Sequence, residues 1–187
     1  MRILDAIKPY AVFLGMGLYW GWIALVFYSD AIFPFAHEAD EMVNTFWLWT
    51  TMSHACMLIV HTVAARRFGS LLSRSFFLIG SIAGMCFGAI AMILLTSDVF
   101  QESTALSSAV FVGIAIVVGL SSSWHVLLWG ESYAAVPLDR VPLLSLFSIM
   151  IGLGFYFAVA PFIPLVRAGV VVLLPLFSGL CIVMVRK

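Results

Sequence analysis

Charged residues are scarce in this chain of 187 residues, because Asp, Glu, Lys and Arg make up only 10% of it. A soluble domain carries about 25% charged residues, which cover its surface with polar groups. Here 64% of the residues are apolar or aromatic, and the mean hydropathy is +1.15. The shortage of charge excludes a soluble enzyme, a disordered tail and a free nucleic-acid-binding domain. It leaves an integral membrane protein whose outer surface contacts lipid.

Cysteine is also scarce, and the three cysteines lie far apart within apolar runs. That spacing excludes a disulfide framework and a zinc motif. The chain contains no nucleotide-binding loop, zinc-protease motif or serine-nucleophile elbow, so we expect no enzyme activity, cofactor or metal. The loop after the first apolar run is acidic, and we expect its side chains to be solvated. A metal site is the weaker alternative for this loop, which carries Asp30, His37, Glu38, Asp40 and Glu41.

Long apolar runs are what the sequence has in abundance. A bilayer core about 30 Å thick requires roughly 20 apolar residues in a helix. Six runs meet that length, at 10–28, 45–65, 75–95, 105–129, 142–160 and 165–185. We therefore predict an all-α polytopic membrane protein, with residues 1–187 forming a single domain of six transmembrane helices. The first run is too long and too rich in tryptophan for a cleaved signal peptide.

Basic residues are distributed unevenly over the two sides of the predicted membrane. Only Arg167 falls on the side that holds the 1–2, 3–4 and 5–6 loops. The other eight fall on the side of the two termini: Arg2, Lys8, Arg66, Arg67, Arg74, Arg140, Arg186 and Lys187. Because loops rich in Lys and Arg stay in the cytoplasm, we predict an inner (plasma) membrane protein with both termini cytoplasmic.

No Asp, Glu, Lys or Arg lies deep within a predicted span, which argues against ion pumping and proton-coupled transport. The titratable side chains that remain are histidines. His54 and His61 share one face of span 2, and His125 on span 4 lies at a depth similar to that of His61. Glu131, which follows span 4, is the predicted partner of these histidines. The alternative is that each histidine only hydrogen-bonds at a helix interface.

Small residues predict where the helices approach each other closely. Gly80, Gly84 and Gly88 form a ridge on one face of span 3, and such ridges allow close packing where lipid supplies little hydrophobic driving force. We predict packing inside the bundle rather than a dimer seam. Pro175, in the middle of span 6, is expected to kink that helix.

The loop between spans 2 and 3 carries a partial family motif. Arg67, Phe68 and Gly69 resemble the Asp-Arg-x-Gly core of the 2–3 loop in major facilitator transporters, with Arg66 in place of the aspartate. A facilitator consists of two six-helix halves, so the resemblance implies a bundle like one such half. It also implies that spans 1 and 4 line any ligand cavity, with Tyr19, Trp20, Trp22 and Trp124 as walls.

A second resemblance concerns the opening segment MRILDAIKPYAVFLGMGLYWGWIALVFYSDAIFP and the string WGESY at 129–133. Both are similar to the N-terminal membrane module of bacterial LuxR-type helix-turn-helix regulators. The resemblance implies a sensory module that binds a small apolar or aromatic ligand. These residues contain no helix-turn-helix segment, so we expect this chain to make no contact with nucleic acid. We also expect either that the native protein continues past Lys187 or that the chain is a short relative of these regulators.

Two functions therefore remain open. One is the sensory module of a LuxR-type regulator, and the alternative is a half-size facilitator-like transporter that acts as a homodimer or with a second half-bundle. The candidate ligand-binding residues are Tyr19, Trp20, Trp22, His54, His61, Trp124, His125 and Glu131.

Overall fold

The structure is a computed structural model that describes residues 3–33, 39–96 and 104–186. The described part confirms the all-α class. Its six helices are α1 (Ile3–Phe27), α2 (Ala39–Phe68), α3 (Ser75–Leu95), α4 (Thr104–Ala134), α5 (Val141–Val159) and α6 (Pro164–Arg186). Arg2, His37, Glu38 and Lys187 lie outside the described residues, as do the side chains of Lys8, Asp40, Glu41 and Arg66.

The helix bounds agree with the predicted runs most closely for α3, α5 and α6. Helices α1 and α2 begin before the apolar run, and α4 ends after it. Glu131 therefore lies within helix α4, which extends beyond residue 129, where the predicted span 4 ends. The helix continues past Trp129 because no proline occurs until Pro137, and proline disfavours helical backbone in the residue before it.

Within the described residues, five helical segments are long and apolar enough to cross a membrane. They are Tyr10–Tyr28, Ser75–Leu95, Ser108–Ala134, Val141–Val159 and Pro164–Arg186. Helix α2 is as long as the others but more polar, because it carries His54, His61 and several hydroxyl side chains. The number of helices is thus confirmed, whereas six membrane crossings stay a prediction.

Helix packing follows a regular pattern. The most extensive contacts join α1 to α5 and α6, and α4 to α2 and α3, while α3 also packs against α6. If α1 is exchanged with α4, α2 with α5 and α3 with α6, the set of contacting helix pairs stays the same. The α1–α5 contact becomes the α4–α2 contact, and the α1–α6 contact becomes the α4–α3 contact. The small contact between α4 and α6 is the exception among the described residues. Helices α1, α3, α4 and α6 form the centre, and α2 and α5 flank it.

Glycine marks the closest approaches between helices. A Cβ atom on Gly80, Gly84 or Gly88 would overlap or tightly contact a side chain of α4, so the predicted ridge packs inside the bundle. On α1, Gly21 lies against the backbone of Gly152 in α5. On α4, Gly119 lies against the backbone of α2. Small residues thus set the spacing at three of the main helix contacts.

The flanking helix α5 shows what the outer surface of the bundle is like. Only Ser148, Gly152 and Val159 are buried along it. Its large apolar side chains are exposed, namely Leu143, Leu146, Phe147, Ile149, Met150, Leu153, Phe155 and Phe157. Soluble proteins rarely expose apolar surface of this extent, so this surface suits contact with lipid.

Candidate functional site: a buried junction and a cavity

Polar side chains meet at the centre of the bundle, where α1, α3, α4 and α6 come together. His125 is fully buried, and its Nδ1 and Nε2 lie 3.1 Å from Ser81 Oγ and 2.8 Å from Ser178 Oγ. Ser178 also accepts a hydrogen bond from Trp129 Nε1 at 3.0 Å and donates one to the Gly15 carbonyl at 2.7 Å. We call this set the buried junction.

Every polar group of the buried junction has a partner inside the bundle. Ser81 Oγ lies 2.9 Å from the Leu78 carbonyl and 3.1 Å from His125 Nδ1, so its one hydrogen has two acceptors within reach, and Nδ1 of a neutral His125 can accept it. Polar groups buried without partners destabilise a protein, and here each helix supplies the partner that another helix needs. The junction therefore holds four helices in register, and it leaves no polar atom of His125 for a ligand.

A cavity of about 310 Å³ lies between α1 and α2, with α4 behind it. We call it the α1–α2 cavity. Among the described residues, the lining contains no Asp, Glu, Lys or Arg. It includes Tyr19, Trp20, Ile23, Phe27, Tyr28, Trp47, Thr51, His54 and Val126. The volume falls at the lower end of the range of about 300–1,000 Å³ that is typical of small-molecule sites. Because Trp20, Tyr28 and Trp47 are exposed, the cavity opens at the surface of the bundle.

His54 is the ionisable polar side chain of α2 in this cavity. Its Nδ1 lies 2.8 Å from Ser122 Oγ on α4, and Ser122 Oγ donates to the Gly119 carbonyl at 3.0 Å. On α1, the Tyr19 hydroxyl donates weakly to the Ser122 carbonyl at 3.5 Å. Ser122 thus contacts both walls of the cavity and positions His54 in one of them.

Tyr19 separates the cavity from the buried junction. Its ring stacks on His125 with centroids 5.5 Å apart, and the same side chain lines the cavity. Its ring also contacts Trp20 and Trp22, with centroid distances of 5.9 Å and 6.3 Å. A single aromatic side chain therefore joins the two polar regions of the bundle.

The sequence prediction placed eight residues at a ligand site, and the structure divides them. Tyr19, Trp20 and His54 line the cavity. The lining does not include Trp22, His61, Trp124, His125 or Glu131. The cavity also involves α2 as a full wall, beyond the two spans that the facilitator resemblance implies.

The tryptophans and the histidine outside the cavity take part in packing. Trp22 is buried, and Trp124 contacts the ring of Phe77 with centroids 5.3 Å apart. Within the described residues, the indole nitrogens of both tryptophans are buried without a hydrogen-bond partner. His61 Nδ1 lies 3.1 Å from the Met57 carbonyl, and its ring contacts Phe77. His61 and His125 thus have separate neighbours instead of forming the predicted cluster.

Glu131 binds the loop between α2 and α3, which corrects its predicted pairing with the histidines. Its carboxylate accepts hydrogen bonds from Ser70 Oγ at 2.8 Å and from the backbone N–H groups of Leu71 and Leu72 at 2.7 Å and 2.9 Å. The extra turn of α4 brings the carboxylate to this loop. Those loop N–H groups have no helical acceptor of their own, so a carboxylate is a strong partner for them.

The loop that resembles the facilitator motif contains the sharp turn that ends α2. Gly69 has φ +62°, a conformation that glycine adopts without steric cost and that commonly terminates helices. Arg67 is exposed at the last turn of α2. The glycine of the motif thus has a backbone role, and Glu131 fixes the loop that follows it.

Arg167, the one basic residue on its side of the predicted membrane, is paired. Its guanidinium contacts both carboxylate oxygens of Asp30, with Nη2 lying 3.1 Å from Oδ2. The pair joins the end of α1 to the start of α6. Of the acidic loop proposed as a metal site, Asp30 is therefore engaged by a cation. Among the described residues, no three His, Cys, Asp or Glu side chains cluster to hold a metal.

The sequence did not reveal which serines contact the two histidines, nor the full lining of the cavity. Ser81 and Ser178 complete the buried junction, and Thr51 and Trp47 add to the cavity wall. Serines are frequent in this chain, and nothing in their spacing identifies partners more than 40 positions away. The positions of Thr51 and Trp47 relative to His54 on α2 were the available signal, because residues three and seven apart share a helix face.

Comparisons of the chain with protein-family models, curated proteins and solved structures find no match. The class of protein is therefore defined by fold and composition. A bundle of α-helices, several of them long and apolar enough to cross a bilayer, is a multi-pass helical membrane protein.

Proposed function

We propose that this chain is a membrane-embedded sensory module of the LuxR-regulator type, which binds a small apolar or aromatic compound in the α1–α2 cavity. The observation that carries the proposal is the cavity itself, which is lined by five aromatic side chains and, within the part of the chain that the structure describes, by no charged one. Ligand sites are typically concave and apolar, with a few polar groups that orient the ligand. Thr51 and His54 are such groups here.

The position of the cavity favours binding over transport chemistry. Coupling to protons or ions usually requires an ionisable residue inside the membrane region, and the cavity lining offers only one histidine, held by Ser122. In the predicted orientation, Tyr28 and Trp47 lie at the extracytoplasmic end of the cavity. A compound dissolved in the outer leaflet would then reach the site sideways, between α1 and α2.

The helix exchange pattern supports a bundle like one half of a facilitator, with six crossings and both termini cytoplasmic. Facilitator halves contain two three-helix repeats of inverted topology. In a bundle of that kind α1 is equivalent to α4, α2 to α5 and α3 to α6. The main contacts here agree with that equivalence, because α1–α5 corresponds to α4–α2 and α1–α6 to α4–α3. Fusing a reporter active only in the cytoplasm, or only outside it, to each loop and to the C-terminus tests this topology.

The same pattern favours a second candidate, a half-size transporter that acts as a dimer. Mass measurement in detergent and uptake into proteoliposomes separate the two functions. The sensory proposal predicts saturable binding of an aromatic compound without its accumulation inside vesicles. A dimer that accumulates the compound would establish the transporter instead.

Photolabelling tests whether the cavity is the binding site. The probe is a naphthalene that carries a diazirine, added to the protein in lipid nanodiscs, with peptides analysed by mass spectrometry. We expect labelling around Trp20 and Trp47 that excess unlabelled naphthalene suppresses. Trp49 provides a matched control, because it is exposed on α2 but does not line the cavity. Labelling spread evenly over α2 would indicate lipid partitioning and contradict the proposal.

A further inference from the structure

We infer that the α1–α2 cavity selects a flat, uncharged aromatic compound that donates a hydrogen bond, through a hydroxyl or an N–H group, to Nε2 of His54. This inference rests on the proposed function, since it names the ligand class of the same cavity. Three observations carry it: the hydrogen bonds of Ser122, the aromatic side chains of the lining, and the lack of charge there.

The hydroxyl of Ser122 determines which nitrogen of His54 carries the proton. A serine hydroxyl has one hydrogen to donate and lone pairs to accept with. Ser122 Oγ donates its hydrogen to the Gly119 carbonyl, 3.0 Å away. With that hydrogen bond in place, Ser122 Oγ accepts in its 2.8 Å contact with His54 Nδ1, so the tautomer of this proposal carries its hydrogen on Nδ1.

The protonation of Nδ1 determines what the other ring nitrogen offers. In a neutral imidazole one nitrogen is a donor and the other an acceptor, and the hydrogen bond of one fixes the role of the other. With Nδ1 directed at α4, Nε2 of His54 presents a lone pair. The side chain lines the cavity, so a ligand there gains a hydrogen bond only by supplying a donor.

The shape of the ligand follows from the aromatic side chains around this acceptor. Two tryptophans, Trp20 and Trp47, belong to opposite walls, and the other rings are those of Tyr19, Phe27 and Tyr28. Aromatic rings favour stacked or edge-to-face contact with another flat ring. A saturated chain fills such a cavity without these directional contacts, so a planar ring system fits it better.

The charge of the ligand follows from the residues that the lining lacks. A charged compound would leave water for an apolar cavity without a counter-charge, because none of the described residues that line the cavity is Asp, Glu, Lys or Arg. Transfer of an unpaired ion into apolar surroundings costs far more than the transfer of a hydroxyl. The site thus disfavours carboxylates, which the negative faces of aromatic rings do not stabilise, and it accepts neutral phenols and indoles.

Two compounds of nearly equal shape test the inference. 2-Naphthol donates a hydrogen bond, whereas 2-methoxynaphthalene has only an acceptor oxygen. Dissociation constants are measured in nanodiscs by competition with the photolabel, and empty nanodiscs correct for lipid partitioning. We expect 2-naphthol to bind more tightly by roughly 2- to 12-fold, which corresponds to one hydrogen bond of about 0.5–1.5 kcal/mol.

Variants locate the source of that preference. His54→Phe keeps a flat ring and removes the acceptor, so the two affinities should become equal. Ser122→Ala releases Nδ1 and allows the other tautomer, so the preference should shrink while both compounds still bind. Cys56→Ala is the control on α2, because Cys56 is exposed and absent from the lining, and it should change neither affinity.

A spectroscopic measurement keeps the test independent of how the variants fold. The ¹⁵N shifts of labelled His54 in the unaltered chain should show a protonated Nδ1 and an unprotonated Nε2, and 2-naphthol should shift Nε2. Equal affinities of the two compounds for the unaltered chain would overturn this inference and leave the proposed function standing. Saturable binding of neither compound would overturn both. A preference that survives in His54→Phe would place the hydrogen bond elsewhere and also overturn the inference.

Discussion

The buried junction and the α1–α2 cavity each contain a histidine that contacts a serine, yet the two histidines differ in what they can do. His125 has both ring nitrogens bound to serines and is fully buried beneath Tyr19. His54 has one nitrogen bound to Ser122, and the rest of its ring lines a cavity. The number of partners thus separates a structural histidine from a candidate ligand-binding one, although both lie on apolar helices.

The largest expected difference concerns replacement of each histidine by alanine. His125→Ala should lower the free energy of unfolding by about 3 kcal/mol, mainly because it leaves a void among four packed helices. His54→Ala should cost less than about 1 kcal/mol, since the side chain already adjoins open space. Unfolding in mixed micelles by titration with dodecyl sulfate measures both values. Equal losses would remove the distinction between the two regions.

Two glycines of α4 differ in how closely they approach α2, the helix that forms one wall of the cavity. A Cβ atom on Gly119 would overlap Ser53 Oγ and the Thr50 carbonyl of α2, whereas one on Gly113 meets nothing within 4 Å. We expect Gly119→Ala to cost about 2 kcal/mol through overpacking and to weaken binding of 2-naphthol by displacing α2. Gly113→Ala should be neutral or slightly stabilising, because alanine favours helix. The same titration and the binding assay check this prediction.

Replacing the serine that contacts His125 should lower the free energy of unfolding more than replacing the serine that contacts His54. Ser178→Ala leaves the Trp129 indole and one nitrogen of His125 without their partner, so we expect a loss of about 1.5 kcal/mol. Ser122→Ala should cost about 0.5 kcal/mol, since His54 can turn toward the cavity. Ser123→Ala is the matched control, because Ser123 Oγ bonds only the Leu120 carbonyl of its own helix. A larger loss for Ser122→Ala than for Ser178→Ala would contradict the comparison.

Glu131 lies outside both regions and should have the smallest and most local effect. Glu131→Gln weakens the acceptors of the Leu71 and Leu72 amides, which should speed their hydrogen exchange by roughly 5-fold, for about 1 kcal/mol. Binding in the cavity should not change. Asp139→Asn, which alters an exposed carboxylate on the next loop, serves as the control. An effect of Glu131→Gln on ligand affinity would show that the loop and the cavity are coupled.

The sequence was sufficient to predict the helices, because their signal is local. Apolar runs of bilayer length gave all six helices, and the ends of α3, α5 and α6 lie within one or two residues of the prediction. The glycine ridge of α3 was likewise readable, since closely spaced small residues leave room only for another backbone. The prediction missed the starts of α1 and α2 and the end of α4, where the helices extend beyond the apolar runs.

The candidate site was only partly predictable. Tyr19 and Trp20 were selected because the facilitator resemblance implies that span 1 lines a cavity, and His54 because a titratable residue inside an apolar helix is a functional candidate. The partners of Glu131 could not, because the three donors lie about 60 positions away in a loop that has no distinctive composition. Contacts across such separations depend on how the helices pack, and spacing within one helix contains no information about them.

The sequence by itself determined that the outer surface of this protein is suited to lipid. A chain with 64% apolar and 10% charged residues forms helices suited to a bilayer, because helices satisfy their own backbone hydrogen bonds. Only the tertiary structure decided which histidine is sealed and which faces a cavity. In the sequence, His54 and His125 are both histidines within apolar helices, and nothing local distinguishes them. Their serine partners come from other helices, with Ser122 contacting His54, and Ser81 and Ser178 contacting His125.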